Sequence, residues 1–492
     1  MRPYPLYGQD ANISYDIMYL ENNDTICAPA TVPGTGAISV IRVSGENALK
    51  IADKVVKCGK PEAIMSAKGY TIKFGTICDE DGSPVDEVLV SIFRAPHSYT
   101  GENSVEISCH ASKYIVQQII LLLLKAGARA AEPGEFTRRA FLNGKMDLAQ
   151  AEAVADLIAS QSAGAHKIAY NQMKGGFSSE LKEMRSRLLE IVALMELELD
   201  FSEEEVEFAD RSQLNTLLDR VMKHISRLID SFRLGNAIKN GVPVAIAGAT
   251  NTGKSTLLNA LLGEDRAIVS DVHGTTRDTV EETLNIDGIL FRFIDTAGIR
   301  ETSETVEKIG IERTWKKISE ADIVLGMTDI TRRPEQIGEE LDELLPKIDP
   351  DKQTLILLLN KCDILSPAGL EARRTFMTGY LASKGLQSVK LLPISAKRKE
   401  GIPELKDILS GSRKDKLAES DTTLITNLRH VEALTKTFEA LTRVKSGLAS
   451  GIPTDLVAQD IREALYYIGS IVGEISDNEV LGVIFSRFCI GK

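Results

Sequence analysis

The run GATNTGKS, Gly248 to Ser255, restricts what this chain can fold into more than any other feature. It fits G-x-x-x-x-G-K-[ST], follows the apolar run VPVAIAG and opens the helical pattern STLLNALLG. That context requires a strand, a tight loop and a helix N-terminus in succession, since only then do the loop's backbone N–H groups and the helix dipole converge on phosphate oxygens. Lys254 is expected to reach the outer phosphates and Ser255 to ligate magnesium. Such a unit belongs in an α/β sheet. VPVAIAG, ILFRFID, DIVLGMTD, TLILLLN and VKLLPIS are short apolar runs separated by helical patterns, which predicts a parallel sheet with helices on both faces.

The flanks read differently. At 492 residues the chain exceeds what one hydrophobic core covers. Between Asp24 and Lys145, ISVIRVSG and VDEVLVSIF read as strands, and KYIVQQIILLLLKAG as a buried helix closed by Gly127. From Met146 onward, Phe177, Leu181, Met184, Leu188, Ile191, Met195 and Leu199 recur at spacings of three and four, the stripe of an amphipathic helix. The acidic run DFSEEEVEF reads as a solvated connector. Helical patterns return after Lys414 with HVEALTKTFEALTRV and DLVAQDIREALYYIGSIVGEI, whose apolar stripes need a partner surface. The expected architecture is therefore α/β plus all-α. An N-terminal domain spans 1–145, a discontinuous helical domain comprises 146–240 and 411–492, and a Ras-like nucleotide domain at 241–410 is inserted between its halves.

The base is read from NKCD. Asp363 offers two carboxylate oxygens to the two N–H donors on guanine's edge, whereas adenine presents an acceptor there and would leave a buried charge unpaired. The nucleotide is therefore expected to be GTP. Asn360 would brace the loop, Lys361 pack over the base, and Ser395, Ala396 and Lys397 close over it. Asn251, Thr252, Gly253 and Thr256 complete the phosphate loop. In DTAG, Asp295, Thr296, Ala297 and Gly298 supply the magnesium-side carboxylate and an N–H for the γ-phosphate. Many small GTPases place Gln directly after this motif to orient water, but here the position is Ile299, and no arginine is evident as a finger. Asn251 and the stretch HGTTRD offer oxygens for a monovalent cation, and Thr276 is the natural switch ligand for magnesium. Glu307 is a candidate to orient the attacking water.

Composition excludes other classes. With a formal net charge of -12 the chain is a poor non-specific binder of nucleic acid. Its six cysteines are scattered with no zinc-type spacing, as expected of reduced thiols in a cytoplasmic protein. The longest apolar run, IILLLL, is far short of the ~18 residues a membrane span needs, and the first residues have no signal-peptide core. The ending CIGK meets the prenylation pattern only formally, because Gly491 is not aliphatic and Lys492 is not a usual last residue.

These motifs, the nucleotide domain set among helices and the ending FCIGK closely resemble the MnmE (TrmE) family of tRNA-modification GTPases. DTICAPATVPGTGAISVIRVSG, SYTGENSVE, EPGEFTRRAFLNGKMDLAQAEA and DTAGIRE look like its signatures, and the likeness runs from Asp24 to Lys492. The resemblance implies a homodimer formed through the N-terminal domains, each with a pocket for 5-formyl-tetrahydrofolate or a related folate. It also implies potassium-stimulated GTP hydrolysis, and a heterotetramer with the flavoprotein MnmG that installs an aminomethyl-type group at carbon 5 of the wobble uridine. Arg42, Glu106, Lys145 and Lys492 match the folate contacts, with Cys489 a thiol near the one-carbon unit. Asn251, Val269, Asp271 and Gly274 match potassium ligands, and Glu307 the water-orienting carboxylate. Thr250 departs from the family's usual Pro, which bears on loop stiffness, and the residues before Asp24 have no counterpart. A different class, a ribosome-assembly switch, would call for an appended basic RNA-binding module, and Arg138, Arg139 and Lys145 make only a small cluster.

Overall fold

The computed structural model describes residues 24–200, 211–263, 281–294, 318–418, 423–475, 478–486, 488 and 491. In the N-terminal region the alternating apolar pattern folds into seven strands: β1 (Ile26–Pro29), β2 (Ile38–Ser44), β3 (Val56–Lys57), β4 (Thr71–Cys78), β5 (Pro84–Phe93), β6 (Ser104–His110) and β7 (Arg129–Ala130). They form one sheet in the order β3-β4-β5-β6-β2-β1-β7, antiparallel except where β7 runs parallel to β1. Helices α1 (Ala48–Val55), α2 (Lys113–Lys125) and α3 (Glu135–Leu142) accompany it. Ile119 and Leu123 of the IILLLL run are fully buried in the core that this sheet shares with α1 and α2. Burial also holds the Cys27 and Cys109 thiols up at about 11, leaving them protonated and unreactive at neutral pH.

Four helices follow, α4 (Leu148–Ala159), α5 (Ala163–Met173), α6 (Gly176–Asp200) and α7 (Arg211–Asn240). The nucleotide fold comes next: β8 (Val242–Ala247), α8 (Lys254–Leu262), β9 (Glu281–Ile286), β10 (Ile289–Ile294), β11 (Ile323–Asp329), α9 (Pro334–Leu344), β12 (Thr354–Asn360), α10 (Pro367–Ser383), β13 (Lys390–Ile394) and α11 (Ile402–Ala418). The chain ends in α12 (Leu428–Ala449), α13 (Thr454–Val472) and α14 (Asn478–Ser486).

The chain divides into two compact units. One comprises 1–155, 172–214 and 439–492. Within it α6 packs along α13, joining helices from either side of the nucleotide fold. Phe177, Leu181, Met184, Leu188, Ile191 and Met195 are all buried, as the stripe predicts, and Arg185 pairs with Glu474 at 2.8 Å. A small core gathers Phe141 and Leu148 with Leu481, Phe485 and Phe488 from the end of the chain.

Arg139, counted with Arg138 and Lys145 as a small basic cluster, is taken up by acidic partners. Its side chain is 6% exposed and is bound to Asp24 (2.7 Å), Glu135 (3.0 Å) and Glu102 (3.2 Å). Arg129 joins Glu135 and Asp24 from β7, and Arg138 is paired with Glu132. Glu135 itself is fully buried. Burial pushes its carboxyl up, but hydrogen bonds from Arg129, the Glu132 N–H and Arg139 outweigh that and hold it below the usual range. Lys145 is placed elsewhere, donating to the Pro96 carbonyl at 3.0 Å.

The second unit comprises 156–171 and 215–438 and carries a six-stranded sheet in the order β13-β12-β11-β8-β10-β9. The five strands read from the sequence are parallel as expected, and a sixth that the apolar runs did not mark, β9, runs antiparallel to β10. Asp287 and Gly288 join the two strands in a two-residue turn with φ of 53° and 82°. The dipeptide Asp-Gly is the sequence signal for such a turn, because it tolerates positive φ at both positions. Asn285 closes the turn, accepting from the Gly288 N–H at 3.0 Å, and donates to the Gln161 carbonyl at 3.1 Å. Among the described residues no helix is long and apolar enough to cross a membrane.

Candidate functional site

The phosphate loop leaves β8 at Ala247 and enters α8 through Gly253, whose φ is 103°. Gly248 has a φ of 153° and lies so close to β11 that a Cβ would stand 2.1 Å from the Met327 carbonyl oxygen. Only glycine lets the loop start there. Thr252 is fully buried and its hydroxyl donates to the Ala249 carbonyl at 2.9 Å. The Lys254 ammonium donates to the carbonyls of Gly248 (2.8 Å) and Ala249 (2.9 Å), which lays a positive charge across the loop. Ser255 and Thr256 are exposed in the first turn of α8, where a hydroxyl can meet a phosphate-bound cation.

The other side of the site is built on the ends of β11, β12 and β13. Asn360 ends β12 with its side chain buried. Its Nδ2 donates to the Thr252 carbonyl at 2.7 Å and its Oδ1 accepts from the Ala396 N–H at 3.0 Å, so one amide joins the phosphate loop to the Ser395–Lys397 loop. Lys361 follows with a φ of 67°, and its ammonium donates to Asp329 Oδ2 at 2.6 Å. Burial pushes the Asp329 carboxyl up, and the hydrogen bonds from Lys361 and Thr331 more than reverse this. Asp363 sits in a single 3₁₀ turn, Cys362–Ile364, mostly shielded, with Arg398 Nε 3.3 Å from its Oδ2. Ser395 is fully buried and its hydroxyl accepts from the Arg398 N–H at 3.2 Å, while Lys397 is exposed.

Asn251, Thr252, Gly253, Lys254, Asn360, Lys361, Asp363, Ser395 and Ala396 thus meet outside the carboxyl ends of parallel strands, where open α/β sheets bind ligands. The arrangement fits a nucleoside polyphosphate: loop N–H groups and an ammonium for the anion, a shielded carboxylate for a base with adjacent N–H donors. Motif reasoning missed Asp329, which holds Lys361, and Arg398, which faces Asp363. Their signals were the last letter of the DIVLGMTD strand and the residue directly after SAK. Val269, Asp271, Gly274, Thr276, Asp295, Thr296, Ala297, Gly298, Glu307, Cys489 and Lys492 lie outside the described residues.

The N-terminal unit holds a second constellation. Arg42 on β2 and Glu106 on β6 are direct cross-strand partners, and Nε and Nη2 of the arginine both bond Oε1 of the carboxylate, at 3.0 and 2.8 Å. The guanidinium lies over the rings of Tyr99 (5.1 Å) and Phe136 (5.6 Å), a favourable cation–π placement. Lys145 reaches the same 94–103 segment through Pro96. Gly491, with a φ of 97°, is pressed against β1: a Cβ there would stand 2.1 Å from the Pro29 carbonyl oxygen. Gly491 therefore lies beside β1, the strand paired with the one that carries Arg42. The pair keeps 18% and 28% of its side-chain surface exposed, and a guanidinium beside a carboxylate suits a ligand with both carboxylates and N–H donors.

Comparison with known proteins gives two family matches, the MnmE helical domain over residues 148–489 and the GTP-binding protein TrmE N-terminus over 25–145. The tRNA modification GTPase MnmE of Parabacteroides distasonis is 52% identical over 95% of this chain and 100% of its own length. That of Bacteroides thetaiotaomicron is 52% identical over 96% and 100%. Among solved structures, Era in complex with MgGDPNP and nucleotides 1506–1542 of 16S ribosomal RNA is 28% identical, covering 40% of this chain and 66% of that one, with a TM-score of 0.28.

Proposed function

Because the chain belongs to the MnmE family of tRNA modification GTPases, we propose that it couples GTP hydrolysis to the addition of an aminomethyl-type group at carbon 5 of the wobble uridine. It does so jointly with the flavoprotein MnmG and a tetrahydrofolate one-carbon unit, in the cytoplasm, as a homodimer within a heterotetramer. The observation that supports GTP as the nucleotide is the Asn360 amide, which ties the phosphate loop to the loop over the base while Asp363, in the 3₁₀ turn directly after it, is available to accept guanine's N–H donors. Lys254 and the loop N–H groups bind the phosphates. Ser255 and Thr276 would hold magnesium, which offsets phosphate charge. Asn251, Val269, Asp271 and Gly274 would surround potassium, which supplies the positive charge an arginine finger gives elsewhere. Glu307 orients the attacking water.

Hydrolysis is expected to be fast in potassium and slow in sodium, with similar nucleotide affinity in both, and Glu307→Ala should slow turnover without weakening GTP binding. Single-turnover rates and nucleotide titrations in the two salts check this; equal turnover would remove the cation from the mechanism. For the folate side, Arg42, Glu106 and Lys145 would bind the cofactor, with Lys492 and Cys489 brought in by the tail. Gly491→Ala, which forces a clash with Pro29, and deletion of Cys489 to Lys492 should each abolish tRNA modification while most potassium-stimulated GTPase activity survives. Mass analysis of wobble nucleosides beside a phosphate-release assay decides it. Normal modification would make the tail dispensable.

A further inference from the structure

We propose that Arg332 is a positioning residue of the phosphate loop, holding the Thr250 carbonyl outward so that the Asn251 N–H and side chain face the outer phosphates. The proposal rests on the reading of residues 248–255 as the GTP phosphate loop. Arg332 belongs to none of the nucleotide motifs. It follows β11 in a turn fixed by Asp329, whose Oδ1 accepts from the N–H and hydroxyl of Thr331 and whose carbonyl accepts from the Arg332 N–H at 3.1 Å. From there Nη2 donates to the Thr250 carbonyl at 2.9 Å, and Nη1 is bound by Glu340 on α9.

The rest of the loop shows why this bond matters. The Gly248 and Ala249 carbonyls are taken by Lys254, Ala249 also by Thr252, and the Thr252 carbonyl by Asn360. Each of these donors comes from a recognised motif; the Thr250 carbonyl is held by Arg332 instead. A trans peptide carries its N–H opposite its C=O. With carbonyls turned to protein donors, successive N–H groups turn the other way and form a concavity for an anion. Asn251 is also a non-glycine residue at a φ of 63°, a conformation that persists only where the surroundings impose it. The bond to the preceding carbonyl fixes one side of that peptide. Arg332 therefore braces the loop: its guanidinium is engaged by Thr250 and Glu340, and it does not serve as a finger on the transferred phosphate.

The test uses the full-length chain with Arg332→Ala, Arg332→Lys and Glu340→Gln. Arg332→Ala should melt close to the parent and bind GDP within about threefold, yet lose about tenfold or more in single-turnover GTP hydrolysis, since a donor aimed at developing charge is worth ~10²–10³ when removed outright. Arg332→Lys should recover part of the rate, because an ammonium can still donate to the carbonyl. Glu340→Gln should show a smaller loss of the same kind. In an Asn251→Ala background, Arg332→Ala should cause little further loss, as both act through one peptide. A parental rate for Arg332→Ala, or equal losses of GDP affinity, rate and melting temperature, would overturn the proposal. Lys254→Ala separates the two levels: if it binds GTP normally the phosphate-loop reading fails, and if it loses GTP while Arg332→Ala is unaffected only the positioning role fails.

Discussion

Replacing Asp363 by asparagine is expected to turn the base preference of the nucleotide site by about 10³-fold or more, away from GTP and toward xanthosine triphosphate. The carboxylate accepts from the two adjacent N–H donors of guanine, and a site built around such a pair rejects a mismatched partner by ~10⁴–10⁵ because a buried polar group is left unpaired. Asparagine presents an N–H₂ in place of one oxygen, which opposes guanine's amino group and complements the oxygen that xanthine carries there. The substitution leaves the rest of the site in place, since Asn360 keeps its bonds to Thr252 and Ala396 and Lys361 its bond to Asp329. Loss of the Arg398 contact matters little, because that guanidinium is 61% exposed and an exposed pair is worth at most ~1 kcal/mol. Competition of GTP and xanthosine triphosphate against a fluorescent nucleotide measures the switch. Retention of the parental preference would show that NKCD does not read the base.

Arg139→Met should destabilise the N-terminal unit by about 3–5 kcal/mol, the usual cost of removing one partner of a buried ion pair. Glu135 would stay fully buried, keeping Arg129 and the Glu132 N–H as hydrogen-bond donors and Arg138 at 3.8 Å, and Asp24 and Glu102 would each lose a charged donor. The pH dependence carries a definite sign. For both Glu135 and Asp24, burial raises the pKa, and the arginines reverse it, so both fold with depressed values. Their stabilisation is complete above the unfolded carboxylate range of ~4 and is lost as pH falls through the depressed folded values, where the unfolded chain binds more protons. In Arg139→Met the folded values rise toward the unfolded ones and the acid slope flattens. Urea unfolding of the full chain at neutral pH and near pH 4 tests both parts. A loss below about 1 kcal/mol with an unchanged slope would show that the network adds little.

The nucleotide sheet was legible because its signals are local: a loop pattern between a strand and a helix, and apolar runs that end in NKCD or SAK. The stripe on α6 was legible for the same reason, its period being written in consecutive turns. Asp329 and Arg332 were not, since their partners Lys361 and Thr250 lie tens of residues away and nothing local distinguishes them from solvated charges. Arg139 was counted with Arg138 and Lys145 as a small basic cluster, and only the closure of β1, β7 and α3 around Asp24 and Glu135 shows its charge committed to buried acidic partners. The antiparallel β9 was not read at all, because EETLNI is polar at most of its positions and lacks the apolar run that marks the other five strands, although Asp287-Gly288 is a turn signal beside it.

The small core of Phe141, Leu148, Leu481, Phe485 and Phe488 sets an order of events during synthesis. A ribosome delivers ~5–20 residues per second, so tens of seconds separate the emergence of Leu148 from that of Leu481. The nucleotide fold draws its sheet from the stretch between them and can close while the N-terminal unit still waits for its last helix and for the Gly491 contact on Pro29. Nascent chains stalled before α14 would therefore carry a protease-resistant nucleotide fold and an N-terminal unit still open to cleavage around Phe141, and a premature stop in the final turns would leave a GTP-binding chain whose first-made domain is the one left unfinished.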